Sequence, residues 1–390
     1  MKKFFYTIFM SIIFICCTFL AAACNSKEEP EPAAAPDPKP ISGSFLQSWL
    51  CRDWTYSRWN QEFASMKELG MDYMIIQSVY DGSFLQGKAE AQDWQSYTLN
   101  GYLGLYPSEI EELEGAILSS QNRGDALELA LRAAKNNGMK VYIGLLSDDR
   151  WWDFGWGKPK LPSGKKDPVT ESYFAAWCEY NGKLNAQMIH EIWNRYGKEY
   201  DEQIAGWYYY NEIWNIDVAC RQTDDKAYAT CIGNNINYFL DAINEACPDK
   251  PLMLSPFFND TVSTARQNKQ FWIDIFKVAN FRAGDIFAPQ DCVGGKNISI
   301  DELDSWIGGL KKAADTEEGL CFWVNNECFT PDYKPAEVSR LIEQIEATET
   351  YAEAHIIFSW NHYYNPLNAP AAKSYNDELK EYLKQRSESE

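Results

Sequence analysis

The sequence predicts an α/β chain closed into a parallel (β/α)8 TIM barrel, on three observations. From residue 41 onward, eight short apolar runs alternate with stretches of helical periodicity. Each apolar run ends in polar or aromatic residues, the pattern expected where barrel strands empty onto one working face. The first strand-to-helix turn carries no Gly-rich phosphate loop, which disfavours a doubly wound open sheet, a fold that normally also has fewer strands.

The elements follow in order. The first strand lies in GSFLQSWL (43–50), and a helix follows over 58–69, with Phe63, Met66 and Leu69 at helical spacing and Gly70 as its stop. The second lies in MDYMIIQ (71–77). A long excursion, YDGSFLQGKAEAQDWQSYTLNGYLGLYPS, separates it from a helix over 124–137 that also ends at a glycine, and reads as an insertion on the rim. Strands three and four lie in MKVYIGLL (139–146) and QIAGWYYY (203–210), with helices over 172–196 and 224–246. The last four lie in PLMLSPFF (251–258), DIFAPQ (285–290), GLCFWVNN (319–326) and AHIIFSW (354–360). Their helices are expected over 268–279, 301–314, 335–349 and 373–386, with Asp301, Asp304 and Pro335 near helix starts. Residues 41–390 read as one barrel domain.

The segment before it is of another kind. Lys2 and Lys3 precede an uncharged stretch from Phe4 to Ala23, and Ala21–Ala23 lead into Cys24, as in a secretory signal over 1–23. The match resembles a bacterial lipoprotein signal, with Cys24 as the lipidated first residue of the mature chain. Ser26, Lys27, Glu28 and Glu29 resemble the signal that sends Bacteroidetes lipoproteins to the outer face of the outer membrane. A Pro/Glu-rich tether over 24–40, with five prolines between 27 and 40, then favours extended polyproline geometry. No later run is long and apolar enough to span a bilayer.

Composition narrows the partners. Thirty-six Lys and Arg stand against 56 Asp and Glu, a formal charge of −20, which offers no field to gather nucleic-acid phosphates. Only three histidines are present and no CxxC occurs, so no metal or other cofactor is expected. Eight cysteines remain beyond residue 24, and an exported location permits disulfides without fixing their pairing. Fifteen Trp, 23 Tyr and 20 Phe make a ring-rich chain, suited either to core filling or to stacking on sugar faces.

The strand ends are where these rings meet acids. GWYYYNEIWN (206–215) sets Glu212 among five aromatics at the end of strand four, and Glu327 ends strand seven after Asn325 and Asn326. Glycosidic hydrolysis needs two carboxyl groups flanking the bond, about 5 Å apart in retaining enzymes. Aromatic crowding and like charge favour a protonated Glu212 as acid/base, leaving Glu327 as nucleophile. Asp291 is the substitute carboxylate, with Asp148 and Asp149 behind it. Asn211, Gln77, Tyr209, Tyr210, Gln290, Asp291, Asn326 and His362 are candidate substrate contacts. Trp151, Trp152 and Trp360 are candidate stacking platforms. For each, ordinary rim packing is the competing reading. A metal-dependent hydrolase built on Asp148, Asp149 and Asp291 is a further rival, weakened by the scarcity of histidine.

This arrangement resembles the retaining glycoside hydrolases of clan A, whose acid/base Glu follows an Asn at the end of strand four and whose nucleophile ends strand seven. Asn211–Glu212 and Glu327 occupy the matching places, although Tyr210 stands before the Asn. FLQSWL, MKELGMDYMIIQ, GWYYYNEIWN, FAPQDCVG and FWVNNECF together are similar to a family of Bacteroides barrel lipoproteins described as glycosyl-hydrolase-like. The resemblance implies a surface-exposed lipoprotein of the outer membrane, a carbohydrate substrate and neighbours in a glycan-uptake system. A non-catalytic glycan-binding barrel is the alternative.

Overall fold

Eight parallel strands close on themselves in this computed structural model, which describes residues 40–82, 101–148, 150–151, 168–215 and 227–389. They are β1 (Gly43–Leu46), β2 (Tyr73–Ile76), β3 (Lys140–Gly144), β4 (Ile204–Tyr209), β5 (Leu252–Leu254), β6 (Ile286–Phe287), β7 (Cys321–Glu327) and β8 (Ala354–Phe358). Consecutive strands are neighbours throughout, and β1 closes the ring on β8 with Gly43 opposite Ile356 and Ser44 opposite Ile357. A helix follows each strand: α1 (Tyr56–Glu68), α2 (Ala126–Asn137), α3 (Pro168–Ile192), α4 (Ala227–Ala246), α5 (Ala265–Phe276), α6 (Leu303–Ala314), α7 (Val338–Thr348) and α8 (Lys373–Ser389). The (β/α)8 expectation is therefore met. The strands are shorter than the apolar runs that announced them. In DIFAPQ only Ile286 and Phe287 are paired strand residues, with one further bridge between Gln290 and Asn325.

Local chemistry sets the helix ends. The Thr55 side chain accepts from the Arg58 amide at the start of α1, and Asp125 from Glu128 at the start of α2. Thr264 and Gln267 form a reciprocal capping box on α5. Gly138 takes φ 61° at the end of α2, a left-handed cap that favours glycine.

The two-residue period of the strands divides the core in two. Phe45, Ile75, Tyr142, Tyr208, Met253, Ile286, Ala288 and Ile356 form one buried cluster. These are the inward positions of their strands, and they fill the barrel as side-chain layers. Alternate residues such as Trp207, Tyr209, Leu254, Phe287, Phe322 and Val324 join the larger cluster beneath the helices. This parity decides which strand-end residues can see the working face.

The described parts of the excursion after β2, on either side of residues 83–100, pair beyond the strand ends. Tyr80–Asp81 pairs in parallel with Leu146–Ser147 beyond β3 and antiparallel with Leu103–Gly104, which pairs with Ile117–Leu118. The result is a small four-stranded sheet. The first and last barrel units are pinned by buried Glu62 on α1. It takes Arg58 at 2.6 Å, Asn361 at 2.6 Å and Asn368 at 3.1 Å. Stripping one partner from such a buried charge costs roughly 3–5 kcal/mol.

These elements belong to a unit spanning Pro38–Glu390; a separate unit, Met1–Asp37, lies outside the described residues, as do the expected signal, Cys24 and most of the tether. The seven cysteines described, Cys51, Cys178, Cys231, Cys247, Cys292, Cys321 and Cys328, are all free. Among the described residues no helix is long and apolar enough to cross a membrane.

Candidate active site

A cavity of about 490 Å³ opens at the C-terminal ends of the strands. The inward parity of each strand, carried up to three residues past its end, supplies most of the wall: Phe45 and Gln47 from β1, Gln77 from β2, and Tyr208, Tyr210 and Glu212 from β4. Gln290 follows β6, Asn325 and Glu327 end β7, and Phe358 ends β8. Loops add Phe257, Gly295, Asn297, Phe329, Tyr333 and Tyr363. Glu212 and Glu327 thus share one cavity, from strands separated by two others on one side of the ring and four on the other.

The two carboxyls have different surroundings. Glu212 is half-buried, and removal from water raises its pKa to about 7, opposed by a hydrogen bond from the Gln290 side chain. Glu327 is 3% exposed and tightly cradled. Its Oε2 accepts the Gly295 amide at 2.9 Å. A Cβ on Gly294 would stand 2.7 Å from the Glu327 Cβ and 2.8 Å from its Oε2, so only glycine lets the turn approach this closely. Burial raises the Glu327 pKa, and the neighbouring Asp291 charge raises it further; the Gly295 and Gly294 amides and the Arg340 guanidinium oppose both.

Asp291 is the hidden partner of this group. It is fully buried, and its carboxylate accepts from Gln344 at 2.5 Å, Asn326 at 3.0 Å, Val293 at 3.1 Å and the Glu327 amide at 3.3 Å. Asn326 in turn meets the His355 ring at 2.8 Å through its Oδ1, so His355 Nδ1 carries the proton. Asp291 and Asn326 therefore lie behind Glu327, off the cavity wall.

The remaining expected contacts divide the same way. Gln77, Tyr210 and Gln290 line the cavity. Asn211 and Tyr209 have outward parity: Asn211 donates to Asn181 of α3 at 2.9 Å, and Tyr209 to Asn235 of α4 at 2.7 Å. Trp360 is 1% exposed with its indole N–H on Asn376. Trp151 is 1% exposed and packs on Trp177, with ring centres 5.5 Å apart. Neither tryptophan lines the cavity. Trp152 and Asp149 lie outside the described residues. His362 also stands behind the wall. Burial lowers its pKa to about 4, its Nε2 accepts the Gln47 amide at 3.2 Å, and its ring lies nearly parallel to Phe358.

Asp148 is bound by Arg150 at 2.6 Å. Among the described residues no group of three His, Cys, Asp or Glu is placed to hold a metal ion. Gln47, Tyr208, Asn325 and Phe358 line the cavity beyond the expected contacts, and two-residue alternation from Phe45, Tyr210, Glu327 and Ile356 points to each. Phe257, Asn297 and Tyr333 stand on loops, where no period exists to find them.

The wall as a whole offers amides and flat rings beside two acids. Asn325 donates to Ser255 at 3.0 Å, while its buried Oδ1 has no hydrogen-bond partner among the described residues. Such a mixture suits a ligand with many hydroxyls and apolar faces.

Solved structures share this architecture. A crystal structure described as a "putative alpha-L-fucosidase" from Bacteroides thetaiotaomicron is 21% identical, covers 92% of this chain and 98% of its own, and superposes with a TM-score of 0.65. A beta-galactosidase from the psychrophilic Marinomonas ef1 is 13% identical over 88% of this chain and 59% of its own, with a TM-score of 0.50. At these identities the likeness concerns the fold. No curated protein matches the chain. The family model described as "Domain of unknown function (DUF4434)" matches residues 41–374, and the chain belongs to that family.

Proposed function

We propose that the protein is a retaining glycoside hydrolase acting on an uncharged poly- or oligosaccharide, with Glu212 as acid/base and Glu327 as nucleophile. The observation that carries this reading is one shared cavity at the strand ends, walled by both glutamates together with amides and aromatic rings. Glu212, with its pKa raised to about 7, holds a proton for the glycosidic oxygen. As the bond to the anomeric carbon breaks, its electron pair stays on that oxygen, and the Glu327 carboxylate bonds to the carbon. In the second step Glu212 takes a proton from water, the water oxygen attacks the same carbon, and Glu327 is released. The Gly295 amide holds Glu327 in one orientation, as a nucleophile needs, whereas Glu212 has the looser setting suited to shuttling a proton.

The absence of any Lys or Arg among the described lining residues supports an uncharged substrate, because two glutamates with no cation would repel a uronate or sulfated sugar. The fold likeness to structures described as a fucosidase and a galactosidase supports the reaction class and leaves the sugar open. The test is product release from a panel of neutral glycans, L-fucosides and galactosides included, with the anomeric configuration of the first product read by NMR. Retained configuration is expected. Glycan binding without any product would instead favour a non-catalytic binding barrel.

The N-terminal pattern supports an outer-membrane lipoprotein, tethered through Cys24 and presented to glycans beside an uptake system. Cys24→Ala is expected to leave the membrane fraction and to lose fatty-acid labelling. A variant that stays labelled and membrane-bound would remove the anchor assignment.

A further inference from the structure

Beyond the carboxyl pair, the cavity wall continues outward along the loop after β7, and its tip carries an aromatic ring that folding alone does not explain. Tyr333 is 77% exposed, yet it lines the same cavity as Glu327. A single exposed ring is ordinary on a protein surface; Tyr333 is set apart by lining the cavity that holds Glu327. Its backbone is also held at φ 56°, a left-handed conformation unfavourable for a non-glycine residue.

The loop is built to hold the ring there. The Thr330 amide donates to the Lys334 carbonyl at 2.9 Å, the Ala336 amide to Cys328 at 3.0 Å, and the Tyr333 amide to Thr330 at 2.7 Å. Phe329 and Pro335 face each other across this narrow hairpin. Arg340 of α7 then ties the hairpin to the strand end, donating to the carbonyls of both Glu327 at 2.9 Å and Phe329 at 2.7 Å. A fixed frame thus connects Tyr333 to the carboxylate only six residues away.

The rings form a ladder leading out of the cavity. Tyr363 and Phe329 have centres 5.7 Å apart and planes 25° apart; Phe329 and Tyr333 have centres 6.2 Å apart and planes 11° apart. One side of Tyr333 is therefore packed, and most of the ring is left to solvent at the mouth.

We infer that Tyr333 is the stacking platform of a second sugar subsite, which takes the neutral sugar ring adjoining the one cleaved. The inference rests on the hydrolase reading. A pyranose presents a flat face of C–H bonds, and the near-parallel ladder offers an exposed ring face on the wall of the same cavity. Stacking needs the ring rather than the hydroxyl, so phenylalanine serves equally well.

The experiment compares an oligosaccharide with the corresponding glycosyl fluoride, whose leaving group has no ring to stack. Tyr333→Ala is expected to lower kcat/KM on the oligosaccharide about tenfold, mainly through KM, and to leave the fluoride within twofold of the parent. Tyr333→Phe should match the parent on both, and an unchanged melting temperature should accompany each variant. Equal losses on both substrates, or no loss on either, would overturn the platform. Should the parent release product from no glycan and no fluoride, the hydrolase reading falls by itself. Glycan-array binding of the parent and Tyr333→Ala then decides the platform: weaker binding by the variant supports it, and equal or absent binding overturns it.

Discussion

Glu327→Ala is expected to lower kcat/KM by roughly 10⁴–10⁶-fold on every substrate, whatever its leaving group. The uniformity matters more than the size. A nucleophile bonds to the anomeric carbon, so its loss blocks the first step even when the departing group needs no proton. The shortened side chain also frees space on the nucleophile's face of the sugar, where added azide can attack an activated glycoside directly. The product expected is a glycosyl azide of inverted configuration, read by NMR. A variant within tenfold of the parent, or an azide product of retained configuration, would remove the nucleophile assignment. The substitution should be tolerated structurally, because Asp291 keeps its bonds to Gln344, Asn326 and Val293, none of which uses the Glu327 side chain.

The raised pKa of Glu327 sets the balance within this assignment. A nucleophile must be ionised, and burial beside the Asp291 charge works against that. Three groups work for it: the amides of Gly295 and Gly294 and the Arg340 guanidinium. Asp291, with four N–H donors of its own, is the member of the pair better provided for carrying charge in the dry interior. Proximity of that charge makes the Glu327 carboxylate more basic and so a stronger nucleophile once ionised, at the cost of moving its ionisation to higher pH.

How much of this was legible in the sequence follows from period. The eight strands and their helices announce themselves because apolar runs and helical spacing are local signals, and Gly70 and Gly138 mark turns of the left-handed kind, with φ 78° and 61°. Glu212 and Glu327 stood out as acids at strand ends. Their neighbours were harder, because adjacency in sequence is opposition in space along a strand. Asn211 and Asn326 each sit one residue from a cavity glutamate and for that reason face the helices. The tryptophans misled for a different reason. Trp360 and Trp151 have the mass to fill gaps between rim elements, and both are buried doing so. Phe329 and Tyr333 reach the cavity through a hairpin whose path is fixed by hydrogen bonds across it, and no local pattern encodes that.

Glu212→Gln is expected to separate substrates that Glu327→Ala does not. On a glycan with a sugar leaving group, kcat/KM should fall about 10²–10⁴-fold, because no proton reaches the departing oxygen. On an activated aryl glycoside the first step needs no acid, so kcat/KM should stay near the parent while turnover stalls at the glycosyl-enzyme. Azide, which needs no general base, should restore turnover and give a glycosyl azide of retained configuration. The pH profile carries the same signature with a definite sign. Glu212 must be protonated to donate, and its pKa is raised to about 7, so its ionisation works against activity as pH rises through that value. Glu327 must be ionised, and its pKa is raised further, to about 8, so the productive pair, protonated Glu212 with ionised Glu327, is a minor population that peaks in a narrow bell between about 7 and 8. In Glu212→Gln the basic limb should vanish on the activated substrate while the acidic limb remains, since Gln cannot titrate and Glu327 still must. A basic limb that persists near pH 7 in that variant would mean another group donates the proton. Loss of activity on the activated substrate as well would instead assign the nucleophile to Glu212 and reverse the two roles.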